Sequence, residues 1–461
     1  MASARDQVEA YGFAARRQVL ALLRGDDEST VDPRRRLSRS VVGGVLLAIA
    51  LLAGAGVAGF LSGGASDSVP RAGVIVDEDT GGAYVLTSGV LHPALNIASA
   101  HLVAGKQTTT IAGSALARLP RGLPVGIPDA PDQLPPAGAL DRGAWTVCST
   151  APRAEAERAR VVVSLGARVP TPLPAGSGVP VRSSDGVLWL LEDGVRYRVD
   201  AAASTLLGLD RVAPVAVGAD VLDLVPEGPR LAVPTVRGAG ATPTVTLPFA
   251  AKVGDVVEAD NGTAQPARYV VLSDGVAPVD QLAFALLAGG ADRTLRVQAS
   301  QVVSVASTSR PDLPDGWPRT FALARPPVSA APLCVSYRPG AAASGAAWPV
   351  TVSEPATVPL PAGARASAPR SGRLPTAATG VAVPPGSGAL VKAVGAGGVD
   401  GVYALVTDSG LRFPIAGADA AGRLGYDVAA AQRVPLPFVR LLPSGPALDP
   451  AAAAAEYSGS R

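Results

Sequence analysis

The stretch Leu188-Trp189-Leu190-Leu191-Glu192-Asp193-Gly194-Val195 writes out a β-hairpin in eight residues. An aromatic among aliphatics makes a strand, an acidic pair closed by glycine makes a turn, and Val195 opens the next strand. Glycine reaches the positive φ that tight turns need without a steric penalty. The same order of features returns in Ala83-Tyr84-Val85-Leu86-Thr87-Ser88-Gly89-Val90 and in Arg268-Tyr269-Val270-Val271-Leu272-Ser273-Asp274-Gly275-Val276. A fourth copy is Val402-Tyr403-Ala404-Leu405-Val406-Thr407-Asp408-Ser409-Gly410-Leu411. Each copy thus reads as a hairpin.

The segment after each hairpin recurs too. A short Ala/Leu-rich helical stretch is expected over residues 94–104, 201–209, 281–288 and 416–424. Beyond it a strand is expected, often ending in a Pro-x-Gly turn: residues 115–120 before Arg121-Gly122, 221–226 before Glu227-Gly228, and 438–443 before Ser444-Gly445. The third copy has residues 302–307 there without that ending, which leaves its closure open. Each unit is a hairpin, helix and strand module of about 50 to 60 residues, a size typical of repeat units. The closing glycines at 89, 194, 275 and 410 are separated by 105, 81 and 135 residues, so the repeats do not form a tight solenoid. An aromatic at one fixed hairpin position reads as a core filler, with a sugar-stacking platform as the rival.

The long gaps hold Trp145, Cys148, Trp317, Cys334, Tyr337 and Trp348 among many prolines. Two cysteines, Cys148 and Cys334, read as one disulfide in an oxidising compartment, against the alternative of two separate buried thiols. A bridge between them spans 186 residues, for which the chain-entropy argument gives about 5 kcal/mol. It would join residues 132–178 to 311–384 and suggests one central domain assembled from both. No metal site is expected, because two Cys and two His (His92, His101) show no ligand spacing.

Ahead of the repeats, residues 41–61 read VVGGVLLAIALLAGAGVAGFL, without a charge or strongly polar side chain. As a helix this runs about 31 Å, the hydrocarbon thickness of a bilayer. Arg34, Arg35, Arg36 and Arg39 precede it and place the N-terminus in the cytoplasm and the body outside. A cleaved signal peptide is the rival, but its apolar region is shorter and lies nearer the N-terminus. Gly43, Gly44, Gly54, Gly56 and Gly59 allow close helix approach in lipid, so the span either packs on another membrane protein or is a glycine-tolerant lone anchor. Residues 3–24 carry Val8, Tyr11, Ala15, Val19 and Leu22 at helical spacing with Arg5, Arg16, Arg17 and Arg24 around them. Such a helix lies on the membrane surface or docks on a cytoplasmic partner, and its mixed charge favours the partner.

Composition adds limits. The net charge of +2 implies no nucleic-acid surface, and 43 prolines argue against long helices outside the membrane. No cofactor and no catalytic residue is expected. The nearest approach to a phosphate loop, AHLVAGKQT at residues 100–108, has Lys106 after Gly105 but lacks the first glycine and the terminal Ser/Thr. No G-x-S-x-G nucleophile elbow occurs. Asp77, Glu78 and Asp79 read as a solvated loop, and His92 and His101 as structural or solvent-facing.

The opening Asp6-Gln7, Tyr11-Gly12-Phe13, Arg16-Arg17 and Ala21-Leu22, then Asp32-Pro33-Arg34-Arg35-Arg36 and a single span, resembles the EccB family of actinobacterial type VII (ESX) secretion systems. The repeats flanking a central domain with one cysteine pair look like it as well. The resemblance implies a structural subunit in the plasma membrane, with its outer domain self-associating in the envelope. The cytoplasmic helix (Val8, Tyr11, Phe13, Arg16, Arg17, Leu22) would touch the FtsK/SpoIIIE-like ATPase EccC and the multi-span channel subunit EccD. Members are sometimes labelled ATPases, which this sequence does not support, and their repeats keep peptidoglycan binding open.

The expected fold is therefore a single-pass membrane protein with an α+β extracytoplasmic body of four small hairpin-helix-strand repeats around a β-rich central domain. Its parts are a cytoplasmic helix and basic flank (1–40), the transmembrane helix (41–61), repeat 1 (70–131), the central domain (132–178 and 311–384), and repeat 2 (179–232). A linker and repeat 3 (233–310), repeat 4 (385–448) and a disordered tail (449–461) complete it.

Overall fold

The computed structural model describes residues 4–24, 44–45, 47–49, 51, 70–150, 160–263, 265–323, 331–340, 348–366, 378–395 and 400–457. The chain forms two compact units, Met1–Val69 and Pro70–Arg461. The first contains α1 (Ala4–Arg24). Among the described residues no helix is long and apolar enough to cross a membrane. Of the 41–61 stretch only residues 44, 45, 47–49 and 51 are described, and they are helical.

The second unit begins with β1 (Gly73–Asp77), β2 (Ala83–Thr87), β3 (Val90–Pro93), a helix Ile97–Ala104 and β4 (Thr108–Ile111). The sheet order is β3-β2-β1-β4, with β1 antiparallel to β2 and parallel to β4. After β5 (Trp145–Thr150) and β6 (Arg160–Leu165), the same plan is built from β7 (Ser177–Ser183), β8 (Leu188–Glu192), β9 (Val195–Arg198), a helix Ala201–Leu206 and β10 (Val215–Val217). It returns in β11 (Val256–Asp260), β12 (Ala267–Leu272), β13 (Gly275–Pro278), a helix Gln281–Ala288 and β14 (Thr294–Gln298). Then come β15 (Ala322–Leu323), β16 (Leu333–Tyr337), β17 (Val350–Ser353) and β18 (Gly380–Ala382). The last copy is β19 (Gly388–Val394), β20 (Asp400–Thr407), β21 (Arg412–Ile415), a helix Gly417–Leu424 and β22 (Gln432–Pro435).

The structure corrects the sequence reading in three places. Each repeat's sheet has a leading strand (β1, β7, β11, β19) that carries both the hairpin and the parallel return strand; it was not expected, since its apolar run lies ahead of the recognisable turn. The segments expected as closing strands instead start as short helices, Gly113–Leu116, Ala219–Leu222, Ala299–Val303 and Leu436–Arg440. The expected disordered tail forms the helix Pro450–Ala453, capped by the Asp449 carboxylate, with Ala453 fully buried beside Leu102 and Leu424.

The Pro-x-Gly segments have a shared mechanical role. In the first, second and fourth copies the chain returns to the outer hairpin strand through two backbone bonds. Leu91, Arg196 and Arg412 N–H donate to the carbonyls of Pro120, Pro226 and Pro443, and the N–H of Gly122, Gly228 and Gly445 donates back. A Cβ on those glycines would lie 2.3, 2.5 and 2.2 Å from the rings of His92, Tyr197 and Phe413. Glycine is required because a ring occupies the space a side chain would take. The third copy closes with the same two bonds, through Val305 and Ser307 to Val276. There the ring position is Ala277, so no glycine is needed and Ser307 is tolerated.

The repeats pair through their helices. Ala98 and Leu102 of repeat 1 share a core with Phe413, Ala420, Ala421 and Leu424 of repeat 4, and the Arg423 guanidinium donates to the Leu102 carbonyl at 3.2 Å. Leu190, Tyr197, Ala203 and Leu207 of repeat 2 pack on Leu282 and Leu286 of repeat 3. The central sheet has the strand order β17-β16-β5-β6-β18. Its Trp145, Val147, Val163 and Val335 share one core with Val179, Val181 and Leu191 of repeat 2 and with Val391, Phe438 and Val439 of repeat 4. Burying each such side chain contributes about 1.5–3 kcal/mol.

The ring–glycine contact is testable by a double-mutant cycle. Gly445→Ala must displace the Phe413 ring, which is 1% exposed, and is expected to destabilise the protein by about 2–3 kcal/mol. In a Phe413→Ala background the same change should cost less than about 1 kcal/mol, read as thermal midpoints.

Candidate functional site

Among the described residues, no group of three or more His, Cys, Asp and Glu side chains could hold a metal ion. The organising site is the central sheet. Cys148 on β5 and Cys334 on β16 face each other across an antiparallel pair and form a disulfide with an S–S distance of 2.02 Å. Both are fully buried. Alternation along the strands puts Cys334, Ser336, Cys148 and Thr146 on one face, and the Thr146 and Ser336 hydroxyls bond each other at 2.9 Å. The opposite face carries Trp145, Val147, Val335 and Tyr337 into the shared core.

Two hairpin turns press on the outer strands of this sheet. Asp193 (φ 46°) and Gly194 (φ 76°) both have positive φ, which makes a two-residue turn of the mirror-image type that suits hairpin twist. A Cβ on Gly194 would lie 2.2 Å from the Val350 carbonyl oxygen on β17. In repeat 4, Gly410 (φ 79°) approaches Val381 on β18, where a Cβ would meet its side chain at 2.9 Å. The turn glycine of repeat 1, Gly89, faces open space. Each outer strand of the central sheet thus has a repeat turn seated against one of its residues, Val350 on β17 and Val381 on β18. The glycines were legible as turn residues; that two of them also seat the repeats was not, because the contact partners lie 156 and 29 residues away.

Beside the first of these seats lies a buried acid. Glu192 is 3% exposed and its Oε2 has no hydrogen-bond partner. Burial, and then the Asp193 charge, push its carboxyl up to about 7. The same surroundings push the Tyr197 phenol up to about 12, through burial first and then the charges of Glu192 and Asp193.

The hairpin aromatics are half-buried, and three of them are covered by a cation. Arg121 lies 5.3 Å from the Tyr84 ring centroid, Arg196 5.1 Å from Trp189, and Lys392 5.5 Å from Tyr403. Those faces are occupied by side chains of the protein itself. Gly105-Lys106 follows the helix Ile97–Ala104 and leads into β4, the reverse of the strand-loop-helix order of a phosphate loop. The lysine therefore stands at a helix C-terminus, the end that disfavours anions. His92 Nδ1 lies 3.0 Å from the Leu123 carbonyl, and His101 Nε2 lies 3.2 Å from Thr108 Oγ1. Burial pushes the His101 imidazole down.

The remaining candidate residues belong to the first unit. On α1, Val8, Tyr11, Phe13, Val19 and Leu22 are 55–85% exposed, and Arg16 and Arg17 are also exposed. Gly44 is helical and nothing lies within 4 Å of where its Cβ would be. Gly43, Gly54, Gly56 and Gly59, together with Arg34, Arg35, Arg36 and Arg39, lie outside the described residues.

Glu192 sets a pH dependence whose sign is fixed. A carboxyl raised on folding binds more protons in the native state between its unfolded value and about 7, so this group's contribution to stability is fully present below its unfolded value and is lost as pH rises through that window. The fall is expected to reach about 2–3 kcal/mol. Glu192→Gln should flatten it between pH 5 and about 7, measured as urea midpoints across pH.

With this geometry in place, comparison with known proteins is specific. Mycolicibacterium smegmatis "ESX-3 secretion system ATPase EccB3" is 30% identical over 445 residues, covering 89% of this chain and 82% of that protein. Mycobacterium tuberculosis "ESX-1 secretion system ATPase EccB1" is 31% identical over 297 residues, covering 61% of this chain and 60% of that protein. Among solved structures, a chain of an intact ESX-5 inner membrane complex matches with a TM-score of 0.68 and 27% identity, covering 100% of this chain and 97% of that one. A chain of an EccB3 dimer from the ESX-3 core complex matches with a TM-score of 0.68 and 27% identity, over 83% of this chain and 100% of that one. The family model for "Type VII secretion system ESX-1, transport TM domain B" matches residues 1–459, and the chain belongs to that EccB family.

Proposed function

We propose that this protein is a non-catalytic structural subunit of a type VII (ESX) inner membrane complex. The observation that carries the reading is the likeness along the whole chain to a subunit of an intact ESX-5 inner membrane complex. The 41–61 stretch anchors the chain in the plasma membrane as a single pass, with the N-terminus cytoplasmic and the repeat body outside. Helix α1, whose apolar side chains stand exposed, docks on the EccC-like FtsK/SpoIIIE ATPase. The glycines of the span (Gly43, Gly44, Gly54, Gly56, Gly59) pack against helices of the EccD-like multi-span subunit. The body self-associates, in keeping with the dimer described for a relative.

Holding, rather than turnover, fits the residues present. Relatives carry the name ATPase. In this chain Lys106, which follows Gly105, sits at the wrong end of its helix for phosphate. Peptidoglycan binding by the repeat aromatics is less favoured, since Arg121, Arg196 and Lys392 already cover three of them.

The test is purification of the full-length protein from its native membrane in mild detergent, with mass spectrometry of the co-purifying proteins. An FtsK-like ATPase and a multi-span protein are expected. Tyr11→Ala/Phe13→Ala/Leu22→Ala should lower recovery of the first about tenfold, a loss of roughly 1.4 kcal/mol. Gly54→Leu/Gly59→Leu should lower recovery of the second. Isolation of the protein alone, or ATP turnover by it that Lys106→Ala abolishes, would contradict the reading.

A further inference from the structure

The polar face of the central sheet opens at one end into a groove of about 760 Å³. Its floor includes Ser336 of β16 and Thr351 of β17, which stand opposite each other, with Arg338 two residues beyond Ser336. That floor is continuous with the disulfide, because Cys334, Ser336 and Arg338 alternate onto one face. One wall is residues 168–172 and the other residues 355–359. We propose that this groove binds an extended acidic peptide segment.

Three features select that ligand. First, the charge is unbalanced. Arg168 and Arg338 line the groove, both exposed, and no Asp or Glu lines it. Among the described residues neither arginine makes an ion pair. Glu354, next to the wall residue Pro355, is half-buried and does not line the groove, and burial pushes its carboxyl up. Guanidinium groups recognise carboxylates through paired N–H donors, so two of them at separate points suit two acidic side chains on one chain.

Second, the walls are built largely from proline: Pro170, Pro172, Pro349, Pro355 and Pro359. These residues offer no N–H and hold fixed backbone angles. They leave an apolar trough that is already in shape before a ligand arrives, which lowers the ordering cost of binding. Recognition of charge is left to the arginines, and that of backbone polar groups to the hydroxyls of Thr171, Thr351 and Thr357.

Third, the size and lining exclude simpler occupants. The volume falls in the range of sites for drug-sized ligands and is far larger than a lone inorganic anion. No aromatic ring lines the groove, so it offers no stacking face to a sugar. An extended peptide presents side chains every 3.3–3.6 Å to alternate sides and can lay apolar residues on the prolines while its acids reach the arginines.

The experiment is fluorescence anisotropy on the full-length protein in detergent. The probe is a fluorescein-labelled peptide of alternating Glu and Val, with the Gln–Val peptide as its neutral counterpart. The expected result is salt-sensitive binding of the acidic peptide and none of the neutral one. Arg168→Ala/Arg338→Ala should weaken it about tenfold or more with an unchanged thermal midpoint. Arg168→Glu/Arg338→Glu should switch preference to a Lys–Val peptide. Equal binding of acidic and neutral peptides, no binding, or acidic binding that survives the double alanine variant would overturn the proposal. So would binding of soluble muramic-acid-containing wall fragments in place of the peptide.

Discussion

The pairing of β5 with β16 determines how everything else in the body is placed. The two strands are 186 residues apart at the disulfide, and the chain between them contains repeats 2 and 3. Repeats 1 and 4 lie outside the closed loop, one before it and one after. Joining Cys148 to Cys334 therefore sorts the repeats into an inner pair and an outer pair. Each pair packs through its own helices, and each offers one member, repeat 2 or repeat 4, to the shared central core. A cross-link over so long a loop removes unfolded-state entropy of about 5 kcal/mol, a large fraction of the stability of an ordinary domain.

Much of this was legible in the residues. The turns were, because Gly89, Gly194, Gly275 and Gly410 sit where positive φ is needed, between apolar runs. The cysteine pair was, since two cysteines allow only one bridge. The leading strand of each repeat was missed because a buried central strand such as Gly73–Asp77 carries no turn signal of its own. The Pro-x-Gly endings were seen as a pattern but misread as strand ends. Their cause is spatial: His92, Tyr197 and Phe413 occupy the space above Gly122, Gly228 and Gly445, and the copy with Ala277 has lost the glycine as well. The tail was misjudged because its alanines carry little signal until Ala453 meets Leu102 and Leu424. The groove between residues 168–172 and 355–359 could not be read, since its walls come from segments far apart in sequence.

The candidate chemical groups and the outward surfaces of the chain differ in kind. The histidines bond locally, Lys106 stands at a helix C-terminus, and three of the hairpin aromatics are covered by cations. The surfaces the fold presents outward are different in kind: an exposed apolar set on α1, and a proline-walled groove with two arginines on the clamped sheet.

The most direct measurement is hydrogen exchange on the full-length protein, comparing the native form with Cys148→Ser/Cys334→Ser. If the clamp organises the body, protection should fall together in residues 145–150 and 333–337, in the Gly194 and Gly410 turns, and in the shared core strands β7 and β19. The internal core of repeat 3, around Val257 and Val271, should keep its protection. Loss confined to the two strands that carry the cysteines, with the turns and repeat cores unchanged, would contradict the account.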